Sequence, residues 1–482
     1  MAITTAALGP RRIADLPGPR GIPLLGNALQ VKLNRIHLDV EQWAREFGPF
    51  FRFRLGKLHV LAVSDHEAIA AMLKDRPDGF RRTTRQTVVG MEMGFKPGLF
   101  GSEGQAWRDQ RRMVMASFAP GHVRAYFPSL LKVTQRLRGR WQIAARAGAT
   151  IPLQEDLMRY TVDGVAGLAF GTDMNTLQSD DEVIQQHLDK IFPALFRRIF
   201  ARFPYWRYVR LKADRELDHS VIAINQAIAG FIAQARERMR ANPALREQPS
   251  NLLEGMIAAA DQGGSGVNDE HVAGNVLTML LAGEDTTANT LAWMIYLLQR
   301  NPQALRRATE EVQRVAPDPA AFTPEQMDQL HYVDACAAET MRLKPVAPFI
   351  VLEALHDTTV HDVQVPKGSF VWCVMRHDTV SAAHFPDPQA FNPARWLEGV
   401  DPALTPTSPK RVAMPFGAGP RVCPGRYLAM LEIKMAMAML LSSFEIDGVG
   451  TPDGGEARER MAFAMSPVGL TMRVRERAIR PG

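Results

Sequence analysis

Residues 269–300 carry apolar side chains at helical spacing with few interruptions, and this run limits the fold more than any other feature. Asn268 suits an N-cap, Asp269 and Glu270 fall in the first turn, and Asn301-Pro302 stops the helix and begins the next. About 32 residues rising about 1.5 Å each give a helix about 48 Å long, enough to cross a large domain. A helix apolar on most faces is buried. Burial in lipid is excluded by Asn275, Glu284, Asp285 and Asn289 within the run. The helix therefore needs a large protein core around it. A length of 482 residues allows about three domains of about 150 residues. No proline- or serine-rich linker and no internal repeat divides the chain, so one domain over residues 1–482 is the simplest reading.

The rest of the chain supports a mainly α fold with a smaller β region. Phe51–Leu55 and Leu58–Val63 read as short strands joined at Gly56-Lys57, with Ser64 capping a helix to about Lys74. From Gln105 to about Arg300 the pattern is mostly helical. Strand signals return at Phe349–Leu355, Val363–Val365 and Phe370–Val374, and a last hairpin is expected within Met461–Val474. Residues 1–25, with Pro17-Gly18-Pro19 and Ile22-Pro23, read as an irregular leading segment without an apolar run. No secretory signal and no membrane anchor is expected.

The chemistry concentrates at Pro415–Gly425, PFGAGPRVCPG. Cys423 stands in a glycine-rich loop directly before a helical pattern with Leu428, Leu431, Met435 and Met439 on one face. Free N–H groups and the dipole at a helix N-terminus favour an anion, and thiolate is the metal-binding form of cysteine. Gly417, Gly419 and Gly425 permit close backbone approach. Phe416 can shield the sulfur, and Arg421 can meet an anion beside a metal. The competing reading is a buried structural cysteine, the usual state of a free cysteine. The three cysteines, Cys336, Cys373 and Cys423, are odd in number and far apart, so no disulfide framework is implied.

Midway along the long helix, Ala282-Gly283-Glu284-Asp285-Thr286-Thr287 breaks the apolar pattern. Thr286 can bond the Ala282 carbonyl one turn back and bend the helix. Gly283 leaves room for a flat group. A helix with one wet face explains the same residues. Glu339 and Arg342 share a helix face, and Trp107 and Arg111 share another.

Together, Phe416-x-x-Gly419-x-Arg421-x-Cys423-x-Gly425 and Ala282-Gly283-x-Asp285-Thr286-Thr287 resemble the signatures of the cytochrome P450 family. The resemblance implies a single haem domain, with haem b between the long helix and the cysteine loop. It makes Cys423 the iron ligand and Asp285 and Thr286 the proton-delivering pair, Thr286 bonding dioxygen at the iron. Gly283, Phe416, Gly419 and Gly425 would form the haem surroundings. Trp107, Arg111 and Arg421 would meet the propionates. Glu339, Arg342 and Arg395 would form the family's structural triad. Glu284 has no family role and is expected at solvent or in an ion pair. The chain departs from many relatives at Leu352, where they carry a propionate-binding arginine.

The implied activity is a monooxygenase acting with O2 on a small apolar substrate. Electrons would come from NAD(P)H through a ferredoxin or flavodoxin and its reductase. Met91, Met93, Phe95, Phe100, Phe203–Trp206, Phe349–Val351 and Ala464–Pro467 are the candidate substrate contacts. A peroxide-driven relative is disfavoured by the presence of both Asp285 and Thr286, and a haem sensor by the lack of any signalling domain. A net charge of +6, from 57 basic and 51 acidic residues, argues for no nucleic acid but suits an acidic carrier. A cytoplasmic monomer without a membrane anchor completes the expectation.

Overall fold

Phe50–Leu55 (β1) and Leu58–Val63 (β2) form the expected hairpin, with Gly56 at φ 62° in its turn. The computed structural model describes residues 10–118, 120–179, 184–397, 399 and 408–477. The hairpin belongs to the first of two compact units, Met1–Thr87 with Ala347–Gln389 and Pro402–Val422. This unit also holds helices Ile36–Phe47 (α1) and His66–Lys74 (α2), and strands Phe80–Arg82 (β3), Phe349–Ala354 (β4) and Phe370–Val374 (β5). Its five-stranded sheet runs in the order β1-β2-β5-β4-β3, with only β2 and β5 parallel. Strand β5, FVWCV, sits at the centre and is buried from Val371 to Val374, hence its unbroken apolar run.

The core of this unit joins Leu61, Val63, Ile69, Met72, Phe80, Val371 and Cys373 with Leu352 of β4, which is 0% exposed. Leu352 is therefore a core residue, and its place in a sealed sheet leaves no group there to meet an anion. The cap of α2 is Asp65, which accepts from the Ala68 N–H at 2.7 Å; Ser64 lies one residue too early. The leading segment is irregular from residue 13 to 35, but Arg11–Arg12 adds a short parallel strand to Val363–Gln364.

The second unit, Val88–Val346 with Ala390–Asp401 and Cys423–Gly482, is α-rich. Its helices include Gly104–Ser117 (α3), Leu153–Phe170 (α4), Ile184–Phe200 (α5), Asp269–Arg300 (α6), His331–Leu343 (α7) and Arg426–Ser443 (α8). The long helix α6 starts as its sequence dictates: Asn268 accepts from the His271 N–H at 2.9 Å and His271 answers the Asn268 N–H. Leu280, Leu291, Trp293, Met294 and Leu298 are all 0% exposed, and α4 packs along it. Each such side chain contributes about 1.5–3 kcal/mol by leaving water.

Strands Phe444–Gly450 (β6), Glu459–Met461 (β7), Met465–Pro467 (β8) and Thr471–Glu476 (β9) complete the unit. The expected terminal hairpin is β7–β8, whereas β9 pairs with β6, a strand with little alternating pattern of its own. Among the described residues no helix is long and apolar enough to cross a membrane.

Candidate active site

The cysteine loop is shaped by backbone contacts. In the sheet-bearing unit, Gly417 N–H bonds the Met414 carbonyl at 2.9 Å, and Gly419–Arg421 forms one tight turn. Gly419 has φ 68°, and a Cβ there would lie 2.3 Å from the Leu73 carbonyl oxygen of α2, so no other residue fits. Phe416 and Arg421 are half-buried in this segment.

Cys423 lies two residues before Gly425, the N-cap of α8, in the α-rich unit. Burial pushes its thiol up, while the N–H groups of Gly425 and Arg426 and the charges of Arg111 and Arg426 pull the other way. The chain alone therefore favours the thiol. A bound metal ion would displace that proton and supply what the helix N-terminus lacks. Cys423 is exposed, unlike Cys336 and Cys373. An exposed sulfur in a half-buried loop does not fit the buried structural cysteine. Gly425 leaves room beside the sulfur: Cys423 Sγ, at 3.9 Å, is the only atom a Cβ there would approach.

The cover of α6 has a gap around Ala282. Ala282 is exposed and Gly283, Asp285 and Thr286 are half-buried, although Leu281, Glu284, Thr287 and Ala288 are buried. Thr286 Oγ1 donates to the Ala282 carbonyl at 2.7 Å, as expected, while α6 stays helical throughout. Gly283 also has a packing role. A Cβ there would meet Val165 Cγ2 of α4 at 2.4 Å, so the glycine admits a neighbouring helix as well as lying beside the exposed Ala282.

Asp285 is held by Asn289, whose amide donates to its carboxylate and, at 2.7 Å, to its carbonyl. Burial lifts its carboxyl to about 6, against the pull of Asn289 and Arg460. Asp189 of α5 is raised to about 6 by burial and by Asp285 and Glu155. Nothing in the sequence links Asp189 to Asp285, because they meet only through the approach of α5 to α6.

Glu284 corrects the sequence reading outright. It is 3% exposed, and its Oε1 has no partner among the described residues. Burial, then Asp189 and Asp285, push its carboxyl well above the ordinary range. The folded chain thus holds a proton that the unfolded chain releases above about pH 4.3. Stability falls as pH rises from there through the folded value. Glu284→Gln, neutral at every pH, is expected to match the parent at about pH 4 and to exceed it increasingly as pH rises toward about 8 in denaturant unfolding. Identical pH slopes in the two proteins would contradict a buried neutral acid.

Trp107 is buried and Arg111 half-buried on the same face of α3. Burial lowers the Arg111 pKa and Cys423 raises it, which places this guanidinium in the electrostatic range of the sulfur. Glu339 is no surface partner. Its carboxylate, 0% exposed, accepts from Arg342 Nε and Nη2 at 2.7 Å each, from the Asn392 N–H at 2.9 Å and from Trp396 Nε1 at 2.9 Å. Arg395 stands 3.5 Å away.

The candidate substrate segments divide. Trp206 is structural: it donates to Glu92 at 2.9 Å and lies under Arg198. Phe203 is exposed and stacks on Tyr208, and Met91 is exposed while Met93 is buried. Phe349 packs against Trp372 in the sheet-bearing unit, tilted by 41° at 4.4 Å between centroids, and Phe95 is half-buried. Ala464–Pro467 is buried, with Met465 N–H bonded to the Val346 carbonyl. Phe100 meets Phe463, which stacks on Phe192 at 4.4 Å and 3°. Phe192 and Phe463 were not legible as partners because 271 residues separate them.

The family model described as Cytochrome P450 matches residues 16–472. A self-sufficient cytochrome P450 monooxygenase of Penicillium freii is 29% identical over 95% of this chain and 43% of its own length. The chloroplastic protein LUTEIN DEFICIENT 5 of Arabidopsis thaliana is 26% identical over 89% of this chain and 73% of its own. The chain thus spans less than half the length of the fungal relative. The solved heme domain of cytochrome P450DA shares the fold at a TM-score of 0.82 and 23% identity, over 96% of this chain and 98% of that one. With the family pattern matched from Leu16 to Met472 and the same fold in a solved relative, this chain belongs to the cytochrome P450 family.

Proposed function

We propose that the protein is a haem-thiolate monooxygenase, one haem domain over residues 1–482 that oxidises a small apolar molecule. Electrons come from NAD(P)H through a separate ferredoxin or flavodoxin and its reductase. The observation that carries this reading is Cys423: an exposed thiol met by two backbone N–H groups and within the electrostatic range of Arg111. The donor set fits haem b, with one sulfur for the iron, arginines for the carboxylates and a gap at Ala282 for the flat ring. When bound, the haem supplies the redox chemistry that splits O2 and transfers one oxygen atom.

The chain's own residues supply the rest. Cys423 would give up its proton and hold the iron as thiolate, and Phe416 would limit water there. Trp107, Arg111 and Arg421 would hold the propionates, for which guanidinium is the favoured partner. Asp285, with its carboxyl at about 6, can both take and release a proton near neutrality. Thr286 stores its hydroxyl hydrogen on the Ala282 carbonyl and can turn it toward a group in the gap. Phe100, Phe463 and Phe192 offer an aromatic wall to an apolar substrate.

The test is turnover with a ferredoxin, its reductase, NADPH and a panel of fatty acids, terpenoids, steroids and aromatics under isotopically labelled dioxygen. One labelled atom per product is expected. Faster turnover with hydrogen peroxide than with the redox chain would favour the peroxide-driven reading. Thr286→Ala is expected to bind haem normally but to release severalfold more peroxide per product; unchanged coupling would remove Thr286 from proton delivery.

A further inference from the structure

The sheet-bearing unit gathers His66, Asp378 and His384, one donor atom from each lying within 4.8 Å of the others. We propose that these three residues form a binding site for a divalent, imidazole-preferring metal ion, Zn2+ foremost, separate from the haem.

The cluster is built on ordered backbone. His66 is the first residue of α2, and its N–H donates to Asp378 Oδ2 at 2.9 Å. The His66 ring nitrogen Nδ1 lies 2.8 Å from the same oxygen. His384 Nε2 lies 3.7 Å from it, beyond hydrogen-bond range, with its ring edge-on to that of His66 at 4.7 Å. Two imidazoles and a carboxylate are a common donor set for zinc, with a fourth position left to water. Tetrahedral bonds of about 2.0–2.2 Å require donors roughly 3.3 Å apart. The separations here bracket that value, so modest side-chain rotation completes the site.

Supporting contacts are in place. His377 Nδ1 bonds Asp378 Oδ1 at 3.0 Å and fixes the orientation of the carboxylate. His66 and Asp378 are 8% and 9% exposed, and His384 is half-buried, leaving a path for the ion.

An ion here would clamp the first turn of α2 to the segment after β5. The last turn of the same helix meets Gly419 in the cysteine loop. The site would therefore brace the loop that carries the haem ligand.

Untagged holoprotein, treated with chelator and titrated with zinc chloride, tests this by calorimetry and metal analysis. The loaded haem keeps Cys423 out of the titration. One zinc per chain and a higher Tm are expected. His384→Ala should weaken binding by about 100-fold or more, and His384→Gln serves if the alanine variant is unstable without metal. His361→Ala, outside the cluster, should bind as the parent does. No saturable binding, or equal binding by the His384 variants, would overturn the site.

Discussion

Cys423→Ala is expected to abolish tight haem retention and to reduce turnover to background. No other thiol can substitute, because Cys336 and Cys373 are both 0% exposed and sealed in their cores. The loop should keep its path, since that path is set by the close fit of Gly419 against Leu73 and by the turn at Gly417, not by the sulfur. Far-UV circular dichroism should therefore be unchanged, while the haem-to-protein ratio after gel filtration collapses. Cys423→Ser separates sulfur from shape: it keeps the size but offers a hard oxygen donor, and it too should lose activity. An alanine variant that keeps both haem and turnover would contradict the ligand assignment.

Arg342→Ala is expected to destabilise the protein by about 3–5 kcal/mol, the cost of leaving one member of a buried ion pair alone. Arg342 is 0% exposed, as is Glu339, and it also donates to the Ala390 carbonyl at 3.1 Å. Its removal strands the Glu339 carboxylate with the Asn392 N–H, the Trp396 indole and the more distant Arg395. Those contacts tie α7 to the Ala390–Trp396 segment, so the damage should spread to that segment. Arg342→Lys should rescue little, because an ammonium cannot make the paired Nε and Nη2 bonds. The exposed pair Arg124–Asp328 provides the contrast: its loss should cost under about 1 kcal/mol. Denaturant unfolding measures both, and a loss below about 1 kcal/mol for Arg342→Ala would place the pair among ordinary surface bridges.

What the sequence revealed depended on how local the determinant was. The ends of α6 were legible because Asn268, Asp269 and Glu270 act within one turn. The cysteine loop was legible because its fixed residues lie within ten positions of one another. Burial was not legible. Glu284 looked like a solvent or ion-pair residue until neighbouring helices covered it, whereas the burial of Glu339 with Arg342 was indicated only by the family resemblance, not by their helical spacing. Gly283 signalled close approach, and one of the groups that comes near is Val165 of α4, which sequence does not name. The His66–Asp378–His384 cluster spans more than 300 residues, so no local pattern announces it.

The most direct measurement of the central claim is the carbon monoxide difference spectrum of the dithionite-reduced holoprotein. If Cys423 is the axial ligand, the parent shows the thiolate-type band and Cys423→His shows the imidazole type in its place. An imidazole-type band in the folded parent, or the same band in both proteins, would mean that the iron is held by something other than Cys423.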